Sequence, residues 1–225
     1  MKRFGLIGFP VEHSMSPALF KAAYGGLYPY ELINCPDFEE AWEIFIDGYD
    51  AVNVTMPFKA LAARRADFCS EAVKATGAAN ILVKEADGVH AYNSDYMAVR
   101  SILAGITFES IAIIGTGGAG RAASFAAESI GKAPLMYHHD GISGGVKADV
   151  IIYTLPKAVP GMNELDCRVL IEANYKDPCL EGENCGRKYV SGMEWLKLQA
   201  VCGYALMTGE TPDRDAVCAV EGKTK

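Results

Sequence analysis

The stretch Ile111-Ala112-Ile113-Ile114-Gly115-Thr116-Gly117-Gly118-Ala119-Gly120-Arg121 constrains the fold more than any other part of the chain. The apolar run at its start suits a strand buried on both faces, as in the centre of a parallel sheet. It passes directly into G-x-G-x-x-G at Gly115, Gly117 and Gly120, then into an alanine-rich helical pattern reaching about Ile130. Strand, glycine turn and helix in that order are the context in which the motif signals phosphate binding. Glycines permit the tight turn and let backbone N–H groups approach a pyrophosphate, and the helix N-terminus adds a partial positive charge. The plain alternative is a glycine-rich turn with no ligand. On the dinucleotide reading, Gly115, Gly117, Gly118, Ala119, Gly120 and Arg121 form the phosphate loop.

The next strand should end in an acid for a ribose diol, or lie near a cation for a 2′-phosphate. Here it ends Tyr137-His138-His139-Asp140. Asp140 fits NAD, whereas His138, His139 and Arg121 serve NADP only in part, because neutral imidazoles attract phosphate poorly. Only residues 141–148 separate Asp140 from the next strand, too few for an ordinary crossover helix. The sequence therefore predicts a reduced cofactor domain and leaves the choice between NADP and NAD open.

Elsewhere, short β-rich apolar runs alternate with helical patterns, which predicts an α/β fold with mostly parallel sheets. Strands are expected at 4–8, 30–33, 51–55, 134–138, 149–153 and 168–172, with a hairpin pairing 79–83 and 88–92 around Asp87-Gly88. Ser16-Pro17 reads as a helix cap followed by proline at the first helical position, and Pro57 as the start of another helix. Helices are also expected at 37–46, with Phe38, Trp42 and Phe45 on one face, and from about Asp95 to Leu103. A last helix over about 193–207 places Trp195, Leu198, Cys202 and Leu206 at helical spacing. The expected domains are 1–104, 105–190 and a C-terminal segment 191–225 that returns to the first.

The 225 residues, half of them hydrophobic and 22% charged, supply a folded core, so wholesale disorder is excluded. Lys and Arg total 21 against 28 Asp and Glu, a net charge of −7, which argues against a nucleic-acid or anionic membrane surface. No apolar run approaches the roughly 18 residues of a membrane helix, and the start does not resemble a signal peptide. Seven cysteines without a C-x-x-C pair suggest reduced, mostly buried thiols in a cytoplasmic protein rather than a disulfide framework or a metal site.

The first half carries short polar clusters where strands meet helices: His13-Ser14-Met15-Ser16, Asn53-Val54-Thr55, Lys59, Asn80 and Asn93-Ser94-Asp95. Ligands bind at the carboxyl ends of strands in an open α/β sheet. Each residue also has an ordinary explanation: Ser16, Ser94 or Asp95 as helix caps, Lys59 as a solvated surface lysine, Asn53 and Asn80 as turn asparagines.

Taken together, these clusters resemble the shikimate dehydrogenase family. Gly8-Phe9-Pro10-Val11-Glu12-His13-Ser14-Met15-Ser16-Pro17 is similar to its opening motif, and Asn53-Val54-Thr55-Met56-Pro57-Phe58-Lys59 to its lysine motif. Gly77-Ala78-Ala79-Asn80-Ile81-Leu82, Asn93-Ser94-Asp95, the glycine loop, and Gly192-Met193-Glu194-Trp195-Leu196 with Gln199 and Ala200 follow in the family's order. The resemblance implies an α/β substrate-binding domain, a Rossmann-type dinucleotide-binding domain and a C-terminal helix returning to the first domain. It implies NADP- or NAD-linked reduction of 3-dehydroshikimate to shikimate in aromatic amino-acid biosynthesis.

By the same resemblance Lys59 and Asp95 form the catalytic pair. Ser14 and Ser16 bind the substrate carboxylate, Thr55, Asn80 and Gln199 bind its hydroxyls, and Tyr175 joins the substrate site. The departures fall mainly on the cofactor side. His138-His139-Asp140 stands where the family has Asn-Arg-Thr, Tyr153-Thr154-Leu155-Pro156 where it has Asn-Ala-Thr-Pro, and Glu172-Ala173-Asn174-Tyr175 where it has Asp-x-x-Tyr. Phe20-Lys21 replaces a His-Asn pair in the first helix. A quinate or aminoshikimate dehydrogenase, and a shikimate-binding regulatory protein without hydride transfer, are the competing readings. The expected ligands are small molecules, with no metal, nucleic acid or membrane partner, in a monomer or homodimer.

Overall fold

The computed structural model describes residues 1–222 except 141, 143 and 183–185. In chain order the elements of the first half are β1 (Phe4–Gly8), α1 (Ser16–Tyr24), β2 (Tyr30–Asn34), α2 (Phe38–Gly48), β3 (Ala51–Val54) and α3 (Lys59–Arg65). They continue with β4 (Phe68–Cys69), α4 (Glu71–Thr76), β5 (Ile81–Glu85), β6 (Gly88–Tyr92) and α5 (Ser94–Ala104). The second half has β7 (Ile111–Ile114), α6 (Gly118–Glu128), β8 (Leu135–Tyr137), β9 (Val146–Lys147) and β10 (Val150–Tyr153). After a short 3₁₀ turn come β11 (Leu165–Asp166), β12 (Val169–Glu172), β13 (Lys188–Val190), α7 (Gly192–Thr208) and α8 (Arg214–Ala219).

Two compact units result: Met1–Ser94 with the return segment from Gln199, and Asp95–Leu198. The division falls inside α5 and α7, whereas the sequence predicts boundaries at 104/105 and 190/191. Glycine and proline mark where helices end, and a helix can still serve one core with its first turns and another with its last.

The first unit holds a six-stranded sheet in the order β2-β1-β3-β5-β6-β4. β1 pairs in parallel with β2 and β3, and the β5–β6 hairpin joins antiparallel to β3. Glu85 faces Gly88 in that hairpin, leaving a two-residue loop at Ala86-Asp87. Side chains alternate between the two faces of a strand. Ile7, Ile33, Val52, Val54 and Leu82 therefore share one core with Phe38, Ala41, Trp42 and Phe45 of α2. The α2 N-terminus is closed by Asp37, whose Oδ1 accepts the Glu40 N–H at 2.9 Å, a cap that contributes about 1 kcal/mol. On the opposite face Phe20 of α1 packs against Phe4, Tyr30 and Tyr204, with ring centroids 5.2, 4.6 and 4.9 Å away. Asn53 shares that second face with its register partners Leu6 and Ile81.

The second unit holds a fully parallel five-stranded sheet, β13-β12-β10-β7-β8. Ile111, Ile113, Val150, Ile152, Val169 and Ile171 pack against α5, α6 and Trp195. The other face, Ala112, Ile114, Ile151, Tyr153 and Leu170, is covered by Ile142, Val146, Met162, Leu165 and Leu180 from connecting segments. The expected absence of a crossover helix between β8 and β10 thus has a physical counterpart. Among the described residues of that connection only β9 is regular, and it pairs with β11 in a separate two-stranded sheet.

Several sequence expectations need correction. Ser16 is the first helical residue of α1 and not its cap; Met15 occupies the cap position without a side-chain bond. The helix expected from Pro57 starts at Lys59, because the Phe58 N–H is spent on the Thr55 carbonyl in the preceding turn. In α7 the buried apolar side chains are Trp195, Ala200, Tyr204 and Met207, while Leu198, Cys202 and Leu206 are partly exposed. The helix contributes to both units, so its apolar positions do not hold one stripe. Of the six described cysteines only Cys35 is buried, and all six are free thiols.

Candidate functional site

Each site residue of the first unit sits where a strand gives way to a turn. Thr55 follows β3, donates its N–H to the Ile7 carbonyl at 2.9 Å, and packs its methyl where a side chain on Gly8 would go. Lys59 opens α3, and its carbonyl accepts the Ala79 N–H at 2.9 Å. The next residue, Asn80, accepts the Val54 N–H on its carbonyl at 2.9 Å. Three backbone bonds therefore tie the opening motif, the lysine motif and the Asn80 turn into one rigid corner.

The polar side chains at this corner form two hydrogen-bonded series. The Ser14 hydroxyl donates to Ser16 Oγ at 3.1 Å and accepts the Ser16 N–H at 3.2 Å. Tyr30 donates to Asn53 Oδ1 at 2.7 Å. Asn53 Nδ2 reaches the Asn80 carbonyl at 3.5 Å, and Asn80 Nδ2 donates to Ser94 Oγ at 3.0 Å. Ser94 gives its N–H to Asn80 Oδ1 at 2.7 Å and its hydroxyl to Gln199 Oε1 at 2.9 Å. Ser94 is thus not a helix cap; its amide is itself capped by Asn80. Farther along α7, the Tyr204 hydroxyl donates to the Ser16 carbonyl at 3.1 Å, which fixes the helix that carries Gln199. Burial pushes the phenols of Tyr30 and Tyr204 above their ordinary range, so both remain neutral donors.

The structure therefore pairs Ser14 with Ser16 and joins Asn80, Ser94 and Gln199 in one network, with Thr55 and Lys59 on the backbone corner beside them. Asp95 directly follows Ser94 in the first turn of α5. Asn93 is structural, since its Nδ2 donates to Thr76 Oγ1 at 3.2 Å and to the Ala78 carbonyl at 3.0 Å. Sequence reasoning placed Asn53 and Ser94 in its polar clusters without giving them a role in this network, and missed Tyr30 and Tyr204, which carry no local signal.

In the second unit the three motif glycines have distinct roles. Gly115 lies at φ +107, a conformation open to glycine and rarely to other residues, and its N–H bonds the Tyr137 carbonyl at 2.8 Å. A Cβ on Gly120 would lie 1.9 Å from the Gly115 carbonyl oxygen, so α6 can cross the loop only with glycine there. Around Gly117 and Gly118 an added Cβ would meet nothing within 4 Å, leaving the backbone N–H groups at the start of α6 accessible. Tight turn, open backbone and close helix–strand packing are the features a pyrophosphate site requires. The loop therefore fits a dinucleotide. Arg121 is exposed, and its guanidinium donates to the Thr116 carbonyl at 3.1 Å.

Beyond β8, His138 Nδ1 and Asp140 Oδ1 are 2.9 Å apart, and the His138 and His139 rings lie 4.1 Å apart. The hydrogen bond from His138 holds the Asp140 carboxyl below its ordinary range. At the end of β12, Glu172 is the one fully buried charged residue among the described residues. Its carboxylate accepts the Cys179 N–H at 2.7 Å, the Leu180 N–H at 3.2 Å and the Tyr189 hydroxyl at 2.6 Å, closing the loop that carries Tyr175. Burial and this carboxylate push the Cys179 thiol up to about 12, which leaves it unreactive.

A two-unit α/β protein with a dinucleotide-type glycine loop in its second unit is the class these features define. Residues 6–82 match the family described as the shikimate dehydrogenase substrate binding domain. A shikimate dehydrogenase (NADP(+)) from Chromohalobacter salexigens is 42% identical over 53% of this chain and 48% of its own length. One from Aquifex aeolicus is 34% identical over 49% of its length, so the chain spans about half the length of these relatives. A third, from Caulobacter vibrioides, is 27% identical over 92% of the chain and 90% of that protein. Among solved structures, shikimate 5-dehydrogenase from Thermus thermophilus in complex with NADP(H) and shikimate superposes with a TM-score of 0.86 at 24% identity. It covers 96% of this chain and 97% of that one, and so shows the fold. Residues 6–82 thus match a shikimate dehydrogenase substrate binding domain, and the chain as a whole is similar to proteins of that name.

Proposed function

We propose that this protein reduces 3-dehydroshikimate to shikimate with NADPH, as a cytoplasmic enzyme of aromatic amino-acid biosynthesis. The observation that carries the reading is the set of neutral hydroxyl and amide groups at the corner framed by the lysine motif, Ser14 with Ser16 and Asn80 with Ser94 and Gln199. A polyol is recognised by such groups because each substrate hydroxyl meets a partner that would be left unpaired by an analogue lacking it. The names of the relatives and the match over residues 6–82 support the same ligand.

When bound, the dinucleotide supplies a hydride to the ketone carbon of the substrate. Lys59 donates the proton: its ammonium faces the carbonyl oxygen, stabilises the charge that develops there, and passes one N–H proton to it. Asp95, which follows Ser94 in the first turn of α5, is the second member of the proposed catalytic pair. Ser14 and Ser16 donate to the substrate carboxylate, while Thr55, Asn80 and Gln199 hold ring hydroxyls. Gly115 to Arg121 cradle the pyrophosphate, with Asp140 near the adenosine ribose.

The role of Gln199 has a direct test. Gln199→Ala should raise KM for shikimate roughly tenfold, the effect of losing one or two substrate hydrogen bonds, with a much smaller change in kcat. The same variant should lose most of the increase in melting temperature that shikimate gives the parent protein. An unchanged KM and an undiminished thermal shift would remove Gln199 from the substrate site.

A further inference from the structure

Just beyond β8, three consecutive side chains converge on one point with atoms able to ligate a metal. His138, His139 and Asp140 each present one such atom, and these atoms all lie within 4.8 Å of one another. His138 Nδ1 is 2.9 Å from Asp140 Oδ1, and the two imidazole centroids are 4.1 Å apart with the rings inclined at 53°. Neighbouring side chains of an extended strand point to opposite faces. Here the chain leaves the strand and turns at His139 and Asp140, which lets three neighbours meet on one side. The root of the segment is fixed, because the Tyr137 carbonyl accepts the Gly115 N–H at 2.8 Å. All three side chains are exposed, so a hydrated ion reaches them without any part of the fold opening.

We infer that His138, His139 and Asp140 form a binding site for a divalent transition metal of the zinc class. Ligands of a tetrahedral zinc ion stand roughly 3.4 Å apart, so small side-chain rotations bring the three atoms into place. Two imidazoles and one carboxylate suit zinc, nickel or copper, whereas calcium and magnesium take all-oxygen sets. Three protein ligands leave a fourth position for water. The cysteine pattern argues only against a thiolate site and says nothing of an imidazole one. A second group, Glu85, Asp87 and His90, also gathers three ligating atoms. It offers a single nitrogen, and the His90 ring is stacked on Phe68 with centroids 4.6 Å apart, which opposes the rotation a metal would demand. That group serves as the control. The metal site goes beyond the proposed activity and does not depend on the dinucleotide reading of the glycine loop.

The test is calorimetric titration of the full chain with Zn²⁺, free of chelators and dinucleotide. The parent protein should show a saturable, stoichiometric step. Loss of even an outer-shell partner costs about 10–100-fold in metal affinity, so Asp140→Asn should weaken binding about tenfold or more and His138→Ala/His139→Ala about a hundredfold or more. The three side chains are exposed, so these variants should keep the parent melting temperature in the absence of metal. Asp87→Asn/His90→Ala should bind Zn²⁺ as the parent does. Co²⁺ serves as a spectroscopic probe of the donors: nitrogen and oxygen ligands give visible d–d bands without a thiolate-to-metal charge-transfer band. No saturable step in the parent, or equal affinity in the His138→Ala/His139→Ala protein, overturns the inference. So does loss of binding in the Asp87→Asn/His90→Ala protein alone, or a thiolate band that places the metal on the free cysteines.

Discussion

Lys59→Ala is expected to lower kcat by about two orders of magnitude or more while shifting KM for shikimate far less. A hundredfold loss corresponds to about 2.7 kcal/mol of transition-state stabilisation, the range in which a general acid contributes. The proposed ammonium acts on charge that appears only as the hydride arrives, so its removal affects the barrier more than the bound ground state. The fold should tolerate the change. Lys59 holds the Asn80 turn through its backbone carbonyl, which alanine retains, and alanine is the best helix former at the first position of α3. Steady-state kinetics on folded protein with unaltered shikimate binding is the check. A kcat within a few-fold of the parent value would remove Lys59 from the chemistry.

Gly120→Ala should be the most damaging single-methyl change in the second unit. The new carbon would lie 1.9 Å from a backbone carbonyl oxygen, a contact that no rotamer can relieve, so α6 or the glycine loop must move. Overpacking of this kind costs about 1–3 kcal/mol and can cost more where backbone is the obstacle. For a chain of this size about 3 kcal/mol lowers the melting temperature by roughly 6–12 °C. The displaced N–H groups should also cost most of the dinucleotide affinity, while shikimate binding to the first unit persists. Gly118→Ala is the comparison, because its Cβ would meet nothing within 4 Å. Equal melting temperatures for the two variants would contradict the packing argument.

The parts of this fold legible in the sequence are those in which local pattern and tertiary environment agree. Ile111–Ile114 is apolar because its two faces meet two cores, and Phe38, Trp42 and Phe45 recur at helical spacing because α2 lies on a single sheet face. The Asp87-Gly88 signal locates the β5–β6 hairpin, whose loop is Ala86-Asp87, one residue earlier. Where the environment is mixed, the pattern fails. α7 serves two units and shows no single stripe. Short β4, β9, β11 and β13 carry too few residues to display alternation, and α4 and α8 are announced only by their caps, Ser70 and Asp213.

The candidate site divides in the same way. Ser14, Ser16, Asn80 and Gln199 could be named in advance because motif resemblance identifies residues that face a ligand. Tyr30, Asn53 and Tyr204, which hold those residues from behind, could not: their roles arise from contacts between strands and helices far apart in the chain. Asp140 illustrates the limit from the other side. Its position is legible, but its bond to His138, which changes what the carboxylate can offer a cofactor, emerges only in three dimensions.

The most direct test of the central claim is the near-ultraviolet absorbance of reduced nicotinamide while the purified protein is mixed with shikimate at alkaline pH, in parallel with NADP⁺ and NAD⁺. Shikimate-dependent growth of that absorbance, abolished or nearly so by Lys59→Ala, is the predicted result. No growth with either dinucleotide, in a protein whose melting temperature shikimate still raises, would contradict the account and make this chain a shikimate-binding protein without hydride transfer.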